Sequence, residues 1–283
     1  MPVEFFGRVR PVGRKQLIVN ADDFGRTAEI NQGIEIAFRN GILSSTSVAA
    51  NAPAFVSGLE ILRRNPGLGV GIHLTINEYP PIHDHPFLHR LTGKGHSGLL
   101  LTLDRASVSE LEALEKDLRL QVDFVRSHGI EPTHIDGHGH CHIQPKLVPI
   151  VARIARHYGI RWARMPSEAI FYPGRPSRLV QKCLLNLLCR RGARVMSRDL
   201  RFADRFFGFS DGGNLGLPSL NRILGRVSPG LNELMCHVGT GHDDPPYHIG
   251  YNWNRELETL THYTKQQLLT SFGIEVVSYR EAT

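Results

Sequence analysis

The sequence predicts an α/β chain folded as a single, irregular (β/α) barrel, TIM-barrel-like in plan. Three observations predict it. Strand-like and helix-like segments alternate along the whole chain, the pattern of a mainly parallel sheet covered by helices. Reactive residue types sit at the C-terminal ends of four separate strand candidates: Asp22 and Asp23, His73, the run from His134 to His142, and His237. A barrel gathers all its strand ends over one mouth, whereas an open doubly wound sheet concentrates them near its switch point. Finally, no G-x-G-x-x-G follows the first strand, so a dinucleotide-binding fold loses support.

The elements follow in order. "KQLIVNADD" is an apolar run ending in acid, a buried strand. Ile30, Ile34, Ala37 and Phe38 then fall at helical spacing, with Thr27 as N-cap and Gly41 as the stop. "SSTSVAAN" is a second strand and "AFVSGLEILRRN" a helix ended before Pro66. "LGVGIHLT" is a third strand, residues 76–104 are loop-like, and "SVSELEALEKDLRLQVDFVRSHG" is a long amphipathic helix. "PTHID" is a strand, "PKLVPIVARIARHYG" a helix with proline near its start, and "IRWARM" a strand. "LVQKCLLNLLCRRGARVM" is an apolar helix with a basic end. "LNELMCHV" is a strand, 254–271 a helix and "IEVVSY" the last strand. Residues 15–283 are expected to form the folded domain and 1–14 an N-terminal extension.

The 283 residues suffice for one large α/β domain, and no run approaches the ~20 apolar residues of a bilayer-spanning helix. The N-terminus lacks the apolar core of a signal peptide. Cys141, Cys183, Cys189 and Cys236 form no CxxC pair and read as reduced thiols of a cytoplasmic protein. The net charge of +6 points weakly to an anionic partner or surface. No nucleic-acid motif accompanies it, so no nucleic acid is expected. Histidine, 15 residues in all, is unusually abundant.

Chemistry concentrates in "NADDFG" and "HIDGHGHCH". Two adjacent carboxylates on a regular strand face opposite sides; where the strand breaks into a turn, both reach one site, one to bind a cation and one to take a proton. The alternative is a turn in which one Asp caps the next helix. His73 alone reads more often as a hydrogen-bonded core histidine; its place at a strand end beside the other candidates lifts it. In an extended chain His134, Asp136, His138, His140 and His142 share a face. One or two of these histidines would supply metal nitrogens and the rest would orient them. Asp136 is placed to hold an imidazole or a substrate hydroxyl.

In order, "LIVNADDFG", "GVGIHL", "PTHIDGHGHCHIQP" and "ELMCHVG" resemble the blocks of the YdjC-like carbohydrate deacetylases, a family that includes chitooligosaccharide deacetylases and the deacetylase associated with hopanoid biosynthesis. "DRFFGF" and "GIEVVSYRE" add to the likeness, which runs from about Lys15 to Tyr279. The resemblance implies a barrel-like α/β fold. It also implies removal of the N-acetyl group from an N-acetylated amino sugar, free or lipid-linked like an N-acetylglucosaminyl hopanoid, with one divalent metal ion, zinc or magnesium. It implies Asp23, His73 and His138 as metal ligands, Asp22 as catalytic base and His237 as general acid. Where the family often has a further histidine this chain has Gly139, and where it often has proline after the late histidine this chain has Val238.

Two imidazoles and one carboxylate leave coordination positions open, as a catalytic metal requires. Arg164 is expected to orient Asp22, a surface ion pair being its alternative. Asp136, His140 and Phe24 are carried as substrate-contacting positions. Tyr247, Tyr251 and Trp253 would stack on a sugar or pack a loop. The apolar-then-basic helix with Arg190, Arg191, Arg194, Arg198 and Arg201 packs on the core or docks peripherally on an anionic membrane, at its inner face. A homodimer is compatible with the sequence. The rival functions are a metal-dependent phosphoesterase, which wants a second metal and more carboxylates, and a non-catalytic sugar- or lipid-binding barrel.

Overall fold

A computed structural model describes residues 13–170, 179–241 and 250–282. The first strand, β1 (Lys15–Phe24), is the organising element. One edge pairs in parallel with β7 (Gly230–Cys236), from Lys15 opposite Gly230 to Ala21 opposite Cys236. The other edge is shared: β8 (Ile274–Val276) takes Lys15–Leu17, and β2 (Ser45–Val48) takes Asn20–Phe24. From β2 the sheet continues through β3 (Gly69–Leu74), β4 (His134–Gly137) and β5 (Trp162–Ala163), and beyond β7 lies β6 (Arg205–Phe207).

The sheet order β5-β4-β3-β2-β1-β7-β6 does not by itself distinguish a flat sheet from a barrel. Side-chain contacts do. In a flat sheet β5 would lie about 19 Å from β1, four strand spacings away. Yet Arg164, next after β5, places its guanidinium 2.6 Å from Asp22 of β1 and 2.7 Å from Glu233 of β7. The sheet is therefore curled into a barrel. Among the described residues β5 and β6 form no ladder; one parallel bridge joins Trp162 to Arg201, four residues ahead of β6. That bridge is the irregularity.

Side-chain alternation divides the barrel into layers. Leu17, Val19 and Ala21 of β1 belong to the main core under the helices, while Ile18 joins Trp162, Leu231, Val277, Tyr279 and Ala282 in a separate apolar floor inside the barrel. Above the floor lies a buried polar layer of Asn20, Ser47, His134, Asp136, Arg164 and Glu233, and above that the mouth.

The helices obey their caps. In α1 (Ala28–Asn40) the Thr27 hydroxyl accepts from the Ile30 amide, and Ile30, Ile34 and Ala37 are buried. Gly41 ends it, but in an extended conformation, so left-handed freedom is not why glycine is there: a Cβ would lie 2.4 Å from the Leu260 carbonyl. The helix α2 (Phe55–Arg64) precedes β3, and α5 (Val108–Ser127) opens with a reciprocal Ser107–Glu110 capping box. The stretch 76–104, expected as loop, contains α3 (Pro86–Leu91) and α4 (His96–Asp104). In α3, Pro86 starts the helix while the His85 ring accepts from the Phe87 amide; six residues are too few to show periodicity. After β4 come α6 (Val148–Tyr158) and α7 (Leu179–Met196), and α8 (Leu217–Leu224) joins β6 to β7. The single helix expected over 254–271 is two, α9 (Trp253–Thr261) and α10 (Lys265–Phe272), because Thr264 and Gln267 form a new capping box. Tyr247 and most of the expected N-terminal extension lie outside the described residues.

Candidate active site

The "ADD" block works through a backbone kink. Asp23 has φ +68°, and the β1–β2 register shifts between Ala21 and Phe24. A regular strand would send Asp22 and Asp23 to opposite faces. The left-handed residue lets both reach the mouth, where both are buried. Phe24, one residue on, goes the other way. It is fully buried in the main core, its ring end against Gly58 of α2, so it offers no surface to a sugar, and its expected substrate contact is withdrawn.

His73 stands opposite Asp136 across the β3–β4 pair. Its Nδ1 lies 2.7 Å from Asp136 Oδ1, leaving Nε2 turned toward Asp23 Oδ1 at 3.6 Å. His138 approaches the same Asp23 oxygen with Nδ1 at 3.2 Å, while its Nε2 lies 3.3 Å from Glu78. One ligand atom each from Asp23, His73 and His138 lie within 4.8 Å of one another. This donor set fits a divalent cation: one carboxylate oxygen, two imidazole nitrogens, and a carboxylate behind each ring to fix which nitrogen faces inward. A second set, Asp22, His73 and Asp136, shares His73. Both its carboxylates already bind Arg164, so it is no independent site.

Electrostatics separates the histidines. Burial opposes charge on His138, but its hydrogen bonds to Asp23 and Glu78 outweigh burial and lift its pKa to about 10. Burial likewise opposes charge on His73, and Asp136 overcomes it, so its pKa is raised. Asp23 is held well below the usual carboxylate range, against burial, by His138, His73 and Arg26. In contrast, burial drives His134 down to about 3 and His142 to about 4.

The expected extended run from His134 to His142 ends at Gly137. A 3-10 helix, His138–Ile143, follows, with left-handed backbone at Gly139 and His140. His134 lies below the site, stacked on Tyr279 at 3.9 Å and within 3.1 Å of the Ser47 hydroxyl. Gly71, uninformative as sequence, makes room for its ring: a Cβ there would lie 2.4 Å from it. His142 Nε2 is 3.0 Å from the Arg164 carbonyl. His140 sits beside Phe209 and Phe206. Asp136 is fully buried. Its oxygens meet His73, the Ser47 hydroxyl and Arg164, so it orients an imidazole and is closed to substrate.

Arg164 is no surface residue; it is 0% exposed. It donates twice to Asp22, at 2.6 and 2.7 Å, and once to Glu233, at 2.7 Å. Asn20 adds a third hydrogen bond to Asp22, at 3.0 Å. His237, just past β7, has its amide on Glu256 at 2.6 Å and its Nε2 4.0 Å from Asp22 Oδ2. Burial pushes its pKa down. Among the described residues its Nδ1 is buried without a hydrogen-bond partner. Tyr251 and Trp253 flank it, centroids 4.7 and 5.9 Å away; Trp253 is buried and packs rather than faces a ligand.

Sequence reasoning passed over Glu78, Glu233 and Glu256. Glu233 had a signal, an acid on the inward face of an apolar strand; Glu78, in a proline-rich connection without periodicity, had none.

A family sequence model described as "YdjC-like protein" matches residues 16–271. A carbohydrate deacetylase of Geobacillus stearothermophilus is 31% identical over 271 residues, covering 93% of this chain and 96% of the relative. A chitooligosaccharide deacetylase of Salmonella paratyphi B is 39% identical over 147 residues, 51% of this chain and 57% of that protein. Among solved structures, a protein of Enterococcus faecalis V583, provisionally described as a cellobiose-phosphate cleavage protein, aligns with TM-score 0.75 at 25% identity, covering 95% of this chain and 98% of its own.

Proposed function

The chain belongs to the YdjC-like family, and from that membership we propose that it is a metal-dependent carbohydrate N-deacetylase, hydrolysing the N-acetyl group of an amino sugar. The supporting observation is the convergence of Asp23, His73 and His138 from three strand ends beside an anchored second carboxylate, Asp22.

Asp23, His73 and His138 would hold one divalent ion, zinc or magnesium. Such an ion supplies Lewis acidity, polarising an amide carbonyl and acidifying water. The chain's own residues do the rest. Asp22, fixed by Arg164 and Asn20, takes the proton of the attacking water. The amine cannot leave as an anion, so its nitrogen must be protonated. His237 starts neutral, so it takes on the proton from Asp22, 4.0 Å away, and as general acid gives it to the leaving nitrogen. Tyr251 beside His237, and His140 with Phe209, flank the mouth where a sugar ring would lie. We take 15–283 as the catalytic unit.

The sugar is free or lipid-linked, as in a glycosylated hopanoid. A lipid surface is favoured by α7: Val180, Leu184 and Leu187 are exposed on its outer side, with Arg190, Arg191, Arg194 and Arg198 exposed further along. No described helix is long and apolar enough to cross a membrane, so the contact would be peripheral, at the cytoplasmic face. Among the described residues the phosphoesterase reading lacks its second metal set, since the two candidate sets share His73.

Acetate release from N-acetylglucosamine oligomers by metal-stripped and reloaded protein tests the reaction. Asp22→Asn is expected to cut the rate by about 10²–10⁴-fold, the usual worth of a general base; undiminished acetate release from Asp22→Asn and His73→Ala sinks the proposal. Co-sedimentation with vesicles tests the surface: equal binding to anionic and neutral lipid rejects it.

A further inference from the structure

We propose that Glu78 is a positioning residue for the cation site, holding the His138 ring so that Nδ1 is the nitrogen presented beside Asp23. The inference rests on the metal reading above and extends it to a residue outside the ligand set.

His138 needs an external anchor. It follows the last residue of β4 and opens the 3-10 helix, immediately before two left-handed residues. No strand ladder fixes its ring, and an imidazole has two nitrogens to offer. Glu78 supplies the anchor from a different connection, the one after β3, with one carboxylate oxygen 3.3 Å from His138 Nε2. Its other oxygen accepts from Arg26 Nη1 at 3.0 Å. Arg26 is itself buried, and its amide donates to the Asp23 carbonyl at 3.0 Å. The contacts therefore close a ring: Asp23 turn, Arg26, Glu78, His138, and back to the Asp23 carboxylate.

The other imidazole is held by the same device. Arg164 lies 3.0 Å from Asp136, and Asp136 lies 2.7 Å from His73 Nδ1. Each ring thus has a carboxylate behind it, and each carboxylate a buried arginine. The two relays present opposite ring nitrogens, Nε2 from His73 and Nδ1 from His138, to one Asp23 oxygen. A carboxylate accepting the N–H of one nitrogen leaves the lone pair of the other facing the cation. Glu78 is thereby assigned the role for His138 that Asp136 has for His73.

The test is calorimetric titration of Zn²⁺ into metal-stripped full-length protein, with Asp23→Asn as the blank for binding elsewhere. Glu78→Ala is expected to raise Kd by about 10–100-fold, the usual effect of removing such a partner. Glu78→Gln keeps an acceptor oxygen without its charge and should fall between Glu78→Ala and wild type. Glu60→Ala, on the exposed face of α2, should match wild type. In the zinc-loaded protein, imidazole ¹⁵N shifts should show one histidine losing its fixed protonated Nε2 in Glu78→Ala, which a merely structural role would not produce. A folded Glu78→Ala protein with the wild-type Kd overturns the assignment while leaving the metal reading intact. If Glu78→Ala does not fold, an unchanged Kd in Glu78→Gln overturns it. Wild type binding no better than Asp23→Asn overturns the metal reading, and this inference with it.

Discussion

Among the described residues, the non-glycine side chains on left-handed backbone are Asp23 and His140, and both border the site. Such residues typically cost about 1–3 kcal/mol each and persist where their surroundings impose them. Here the strain has a visible product, two neighbouring carboxylates on one side of a strand. Asparagine tolerates the same backbone region. Asp23→Asn should therefore keep the turn and fold yet lose cation binding, as read by circular dichroism beside zinc titration; a variant that still binds zinc with wild-type affinity contradicts the ligand role. The same kink explains how far single residues were legible. Asp22, Asp23, His73, Arg164 and the His134–His142 run stood out because polar types at strand ends are conspicuous; only the family resemblance singled out His138 within that run. Phe24 was misplaced because adjacency in sequence stopped meaning adjacency in space at the left-handed residue. Glu78 was invisible because its partners, Arg26 and His138, are 52 and 60 positions away with no pattern linking them.

Packing between elements sets narrow tolerances. The β3–β4 pair is close enough that His134 fills the space above Gly71. Gly71→Ala should cost about 1–3 kcal/mol, as overpacking does, and an unaltered melting temperature would contradict the fit. The α1–α2 contact is electrostatic as well as apolar. Glu35 of α1 accepts from Arg64 Nε at 2.6 Å and Asn65 at 3.1 Å, and pairs with Arg39 at 3.2 Å. The Arg64 hydrogen bond leads in holding its pKa below the ordinary 4.5. A carboxyl lowered on folding adds stability above its unfolded pKa and loses it as pH falls through the folded value. Arg64 is half exposed, so Glu35→Gln should cost at most about 1 kcal/mol at neutral pH. Denaturant midpoints of variant and wild type should converge in acid; an equal gap at both pH values refutes the link. Long amphipathic elements such as α1, α5 and α6 were legible because burial imposes a period on them. The short α3, α4 and β6 were not, since a turn or two of helix, or three residues of strand, leaves no period to detect.

Arg164 integrates the whole barrel. Its guanidinium reaches Asp22 of β1, Asp136 of β4 and Glu233 of β7, three acids buried around one cation. Removing one partner of a buried ion pair typically costs about 3–5 kcal/mol, so Arg164→Met should lower the urea midpoint by that equivalent. A shift worth under about 1 kcal/mol would mean the acids are neutral without it. Choosing a barrel over an open sheet from sequence rested on where such residues fall; the single bridge from β5 to Arg201 had no sequence signal. The pairing of β1 has a further consequence, for synthesis. The first strand made is completed by strands made late: Asn20 and Cys236, in contact through a 3.3 Å hydrogen bond, are 216 positions apart. A ribosome adding about 5–20 residues per second leaves that edge bare for about 10–40 s. An apolar strand with a naked edge recruits other chains. Association through "LIVNADDF" is accordingly expected to compete with folding until "NELMC" emerges to cover that edge.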